Sequence, residues 1–386
     1  MSPARTCYLG LSLFSVLSLL GTGCSRLPLS LGERIEKAVT IRPQAVKEAR
    51  PYFNARWSKN LDPEASTGNM PIGVQEPLVH EGVVFVGANS GEMNAYALDD
   101  GRLLWSEKDN STYHTGPVPY QDQILYGTVQ GRLVSRHRST GELKYEIDLG
   151  AAIESKIVVA EGRGLVQLRN HQLFCLDIET GKILWAYRRS VPYQTTIQRA
   201  STPVVQDNRV YVGFADGQAA AFSLEDGLLL WERRLSSGQK FVDVDTDPLL
   251  YMNQLYMGSH AGQYTVMEPQ SGNVLYQMPY TVTRRAQVWN DQLLMGTTTG
   301  EVILMARDFR EVKKINLKSA VTSVRAWRDV IVAATVSGHL YALNPESFEI
   351  IETHHLGHAY SAVFGELKVE GDRLIVLSSR GRLYTF

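Results

Sequence analysis

The sequence predicts an all-β fold: one eight-bladed β-propeller of four-stranded blades, its ring closed by a strand from the N-terminal side. Three observations predict it. A glycine-marked unit recurs eight times at blade length, each unit holds several short runs of alternating apolar and polar residues, and the last unit stops before its fourth strand.

An export leader comes first. Residues 1–23 carry Arg5 as a short basic region and an apolar run from Cys7 to Leu20, which is too short to span a bilayer stably. Leu20-Gly21-Thr22-Gly23-Cys24 follows, a small-residue cleavage site ending in cysteine. It resembles a bacterial lipobox, with Gly21 where that box usually has an aliphatic residue. Cys24 is therefore expected to be acylated, and several chains at roughly 0.8 kcal/mol per buried methylene would hold the protein on a membrane. Ser25 after the cysteine resembles the outer-membrane sorting pattern of enteric bacteria. Residues 24–54 contain a polar stretch from Gly32 to Lys37 and scattered prolines, so they read as a tether, leaving 55–386 for the propeller.

The repeat can be counted. Fourteen residues separate Pro77 from Gly91, Pro117 from Gly131, Pro203 from Gly217 and Pro248 from Gly262. A second glycine stands ten residues on (Gly101, Gly141, Gly227, Gly272), and an aromatic four beyond it (Trp105, Tyr145, Trp231, Tyr276). The third unit has His171 at the first glycine position but keeps Gly181 and Trp185, whereas two later units carry Gly300 and Gly338 with Arg310 and Phe348 at the second position. Proline suits the first residue of an inner strand, and the glycines supply positive φ for the turns. The recurring aromatics are expected to pack blade against blade. Within one unit, Val204-Val205, Arg209 to Phe214, Gln218 to Leu224 and Leu228 to Arg233 read as the four strands.

First-position residues at 91, 131, 171, 217, 262, 300, 338 and 381 make eight units, and the chain ends at Phe386. Ala55-Arg56-Trp57-Ser58 matches the missing fourth strand. That strand would remove the open edges of an unclosed ring.

Composition narrows the function. The 39 basic and 40 acidic residues nearly cancel, and without the leader the balance is 38 to 40, so a nucleic-acid partner is not expected. With Cys7 lost and Cys24 acylated, only Cys175 remains, in the apolar run Leu173-Phe174-Cys175-Leu176, where it reads as a small buried hydrophobe. No intrachain disulfide is expected. Asp243, Asp245 and Asp247 alternate like the start of a calcium loop, but Pro248 stands where glycine is needed and Gln254 where the bidentate glutamate belongs. His354, His355 and His358 could suggest zinc, yet neighbours on a strand face opposite sides. Neither metal nor cofactor is expected.

The residues themselves suggest one recognition site. Arg199 lies four residues before Pro203, and Asp243 and Asp245 lie five and three before Pro248, so both groups sit on equivalent loops of one rim. An arginine and an acidic pair exposed together on one rim would suit a protein partner. The alternative is that the aspartates only cap a turn.

The unit VYVGFADGQAAAFSLEDGLLLWERRL at 210–235 resembles the repeat of propellers related to pyrroloquinoline-quinone enzymes. With the lipobox, the eight units, the N-terminal closure and Asp243-Val244-Asp245-Thr246-Asp247-Pro248, the mature chain resembles the BamB family, a lipoprotein component of the bacterial outer-membrane β-barrel assembly machinery. The resemblance implies a non-enzymatic scaffold, lipid-anchored in the outer membrane and facing the periplasm. It also implies contact between the Asp243/Asp245 loop, with Arg199 and Ile197 one blade earlier, and the periplasmic POTRA domains of the barrel-inserting subunit. Arg199 matches with a one-residue shift, and Ile197 is the sole aliphatic where the family has two leucines. Unfolded outer-membrane proteins are a second expected partner, through exposed strand edges. Two rival classes share the scaffold: a quinone-dependent dehydrogenase, which is longer and has an adjacent cysteine pair, and a periplasmic propeller sensing a small ligand in its channel.

Overall fold

A computed structural model describes residues 51–63, 74–190, 200–238, 241–260, 262–357 and 361–386. These residues form eight antiparallel four-stranded sheets, the blades of one propeller. The first blade runs through Leu78–His80, Val83–Gly87, Glu92–Ala97 and Leu103–Lys108. Blades two to seven repeat that meander over 118–148, 158–188, 204–234, 249–278, 287–316 and 321–355.

Both faces of each blade are covered, which explains why the middle strands read as almost continuous apolar runs. In the fourth blade Val210 and Val212 pack toward Leu165, Leu173 and Cys175 of the third. Tyr211, Ala219 and Ala221 turn the other way, toward Leu255, Met257 and Met267 of the fifth. This is the two-residue period of a strand, with a neighbouring blade on each side. Each large apolar side chain so buried stabilises the ring by roughly 1.5–3 kcal/mol. Outer strands alternate instead between half-buried and exposed residues, as in Leu143–Asp148. A register shift near the start of these strands, such as Ala95/Tyr96 and Ala221/Phe222, bends the strand there.

The recurring aromatics lock successive blades together. Trp57, Trp105, Trp185 and Trp231 each donate their indole N–H to a carbonyl of the next blade, at Leu98, Arg138, Leu224 and Pro269, over 2.8–2.9 Å. Each ring lies over the glycine of that blade's last turn. Gly227 has φ +73, and a Cβ there would stand 2.7 Å from Trp185 Cδ2. Gly227→Val should therefore both strain the backbone and displace the indole, lowering unfolding stability by about 2 kcal/mol or more in a urea titration.

The sixth blade departs from the sequence reading by one residue. Its last turn is shorter, so Phe309 (φ 63) and not Arg310 takes the glycine's place. Phe309 N donates to Ala306 three residues back, whereas Gly101 N reaches Ala97 four back. Tyr276 then stacks on the Phe309 ring at 4.5 Å. At the next junction a lysine replaces the aromatic: Lys313 lies over Phe348, which has φ 62.

The eighth blade contains Lys368–Glu370, Arg373–Leu377 and Arg382–Thr385, with Trp57–Asn60 as its outer strand. Trp57 pairs with Thr385 and Asn60 with Arg382. Packing begins earlier than residue 55, the start expected from the sequence. Phe53 is buried, stacked on Trp327 and edge-on to Phe386. At the junction with this blade the seventh blade presents Glu352, which accepts the Tyr52 N–H (2.6 Å).

Candidate functional site

Two loops stand at the end of the ring where the second and third strands of each blade are joined. Residues 241–247 lead into the fifth blade and residues 200–203 into the fourth. Val244 N donates to Phe214 O and His260 N to Asp243 O, each at 3.0 Å, lacing the first loop to the blades on both sides. Thr246 Oγ1 accepts from Gly258 N at 2.7 Å. Ser201 Oγ donates to Thr246 O at 3.0 Å, and Thr202 N to Asp247 Oδ1 at 2.8 Å. The two loops are thereby one hydrogen-bonded unit.

That lacing corrects the expectation of exposed carboxylates. Asp243 is 2% and Asp245 5% exposed, because the backbone bonds draw the loop into the cleft between blades. Reversing either charge would place a lysine in the protein interior and be read first as lost stability. What the loop presents to solvent is Phe241, 41% exposed with φ 54. Its only signal in the sequence is an aromatic closing the polar run Ser236-Ser237-Gly238-Gln239-Lys240, which the aspartates beside it overshadow. Arg199 and Ile197, like Cys24 and His358, lie outside the described residues. Just before them, Arg189 is half-buried, bonded to Asp216 (2.6 Å) and Glu232 (2.5 Å), and pins the third blade's end to the fourth.

The inner strands surround a central channel with a cavity of about 950 Å³. Val118, Val158, Ala160 and Val204 form one wall, while Asp245, Asp247, Arg284, Arg285 and Glu366 line the other parts. Glu76 Oε1 accepts from Lys156 (2.6 Å) and Lys368 (2.9 Å), and its Oε2 accepts from Glu366 N (3.1 Å). One carboxylate thus joins the first, third and eighth blades. Burial would raise its pKa, but Lys368, Lys156 and Arg284 together hold it well below the usual carboxylate range. Burial likewise opposes charge on Lys368, and Glu76 and Glu366 overcome it, holding the amine above its ordinary value.

Other candidates resolve into packing. Cys175 is fully buried, and burial pushes its thiol up to about 11, so it stays protonated and unreactive. His354 packs against Phe53 and Phe386, while His355 turns to His339 at 4.8 Å. Among the described residues no three of His, Cys, Asp and Glu gather as a metal cluster, and no helix is long and apolar enough to cross a membrane.

A family model described as outer membrane protein assembly factor BamB matches residues 110–316. A protein of that name from Yersinia pestis is 21% identical over 412 aligned residues, covering 100% of both chains. The crystal structure of BamB from Moraxella catarrhalis superposes with TM-score 0.73 at 20% identity, covering 86% of this chain and 98% of that one. A quinohemoprotein alcohol dehydrogenase from Pseudomonas putida reaches TM-score 0.68 at 12% identity, over 86% of this chain and 75% of its own. At that identity the likeness is one of fold alone.

Proposed function

Because the chain belongs to the BamB family of outer membrane protein assembly factors, we propose that it is a non-enzymatic scaffold of the outer-membrane β-barrel assembly complex. The observation that carries this reading is the family match, which extends through blades two to six and so spans both rim loops. In the proposed mechanism a rigid ring holds the loops before the fourth and fifth blades ready for periplasmic POTRA domains of the barrel-inserting subunit. Asp243 and Asp245 fix the loop from within, Phe241 supplies exposed apolar area at its crest, and Arg199 and Ile197 contribute from the adjoining loop. An aromatic anchor on a pre-organised loop suits a protein interface, since little entropy is lost on binding. Incoming unfolded barrel proteins are a further proposed partner, adding to outer strands whose exposed residues include Leu103, Leu143 and Ile183.

Acylation of Cys24 would keep this platform on the periplasmic face of the outer membrane. Cys24→Ala should shift the protein from the membrane fraction to the soluble periplasm and remove the lipid mass from the mature N-terminus. Solubilising native membranes and capturing the protein should recover the barrel-inserting subunit as a stoichiometric partner. Capture that repeatedly lacks this subunit would overturn the scaffold reading, as would dye reduction after addition of pyrroloquinoline quinone and calcium.

A further inference from the structure

We propose that the central channel is a binding site for a small amphipathic carboxylate, its anionic head on Arg285 and its apolar body on the wall formed by the second to fourth blades. Most charges around the cavity are already matched. Glu76 is paired with two lysines, Glu154 with Arg169 at 2.5 Å and Glu366 with Lys368 at 2.8 Å. Asp247 accepts the Thr202 N–H, and Asp245 and Arg284 are also engaged within the protein. Arg285 differs. It lines the cavity, is half-buried, and has no hydrogen-bond or ion-pair partner among the described residues.

A guanidinium held partly out of water without an anion is unfavourable, and a carboxylate matches its planar pair of donors. Val118, Val158, Ala160 and Val204 also line the cavity and offer side chains with no polar function to satisfy. The cavity, about 950 Å³, lies within the roughly 300–1,000 Å³ typical of small-molecule sites. An apolar body ending in a carboxylate meets both walls at once. A neutral chain would leave Arg285 unanswered, and a cationic one would be repelled by it.

Calorimetry with the full folded protein tests this, using decanoate below its micellar concentration, decan-1-ol and decyltrimethylammonium as probes. Decanoate should bind at least tenfold more tightly than either of the others. Arg285→Gln should weaken decanoate at least tenfold and leave decan-1-ol unchanged, while Val204→Phe should block decanoate by filling the wall; a thermal melt on each variant checks that the ring is intact. A tripeptide, Ala-Val-Leu, and its C-terminal amide separate two sources of the same chemistry. Tighter binding of the free-acid tripeptide than of decanoate identifies a peptide terminus, and the reverse order a fatty carboxylate. No binding by either carboxylate, equal binding of decanoate and decan-1-ol, or decanoate affinity unchanged in a folded Arg285→Gln protein would overturn the proposal.

Discussion

Deleting residues 51–60 should open the ring and remove most of the stability of the protein. The deletion takes away Phe53 from the cluster around Trp327 and Phe386, the outer strand paired with Arg382–Thr385, and the indole that docks on Leu98. Truncating one buried aromatic to alanine typically costs about 3–5 kcal/mol, and whole domains are stable by only about 5–15 kcal/mol. The loss should therefore exceed about 5 kcal/mol, with the exposed edge of Arg382–Thr385 promoting aggregation. Urea unfolding and light scattering on the same preparation measure both effects. Trp57→Ala, which keeps the strand, should cost about 3 kcal/mol and separate lost docking from lost pairing. A deletion protein that unfolds at the parental urea concentration would contradict closure by this strand.

Glu76→Leu should be nearly as damaging, by about 3–5 kcal/mol, since it strands Lys156 and Lys368 without their shared acceptor. Acid should reproduce part of the effect. The folded protein holds the Glu76 carboxyl below its ordinary value of 4.5, so the unfolded chain takes up the proton first. Its contribution is present above pH 4.5 and is lost as the pH falls through the lower folded value. Glu76→Gln should accordingly flatten the melting profile below pH 4.5 relative to the parent. A profile that still falls as steeply would assign the acid sensitivity to other carboxylates.

The ring was legible because the repeat is local. Proline at the inner strand and a positive-φ residue fourteen positions later recur within several units, and even His171, standing where other blades have glycine, adopts φ 64. The sixth blade shows where spacing misleads: a turn one residue shorter moves the special position from Arg310 to Phe309, and counting from Gly300 does not register it. The packing of Phe53 is not legible in the sequence because its partners, Trp327 and Phe386, stand toward the other end of the chain. The role of Glu76 is hidden for the same reason, since nothing near it in sequence announces two lysines arriving from the third and eighth blades. At the rim, the alternation of Asp243, Val244 and Asp245 located the loop but mistook its side chains for exposed ones. Backbone bonds to Phe214 and His260 pull it inward, and such bonds leave no trace in residue type.

The partner face assigned to the rim around Phe241 is tested most directly by site-specific photo-crosslinking in intact cells. A photoreactive phenylalanine analogue at position 241 should yield a crosslink to the barrel-inserting subunit, mapping to its periplasmic POTRA domains. The same analogue at Ile183, exposed at the start of an outer strand and hence at the opposite end of the ring, is the control. The predicted result is a crosslink from 241 and none to that subunit from 183. A crosslink from 183 alone, in a protein that melts like the parent, would contradict the assignment of the partner face.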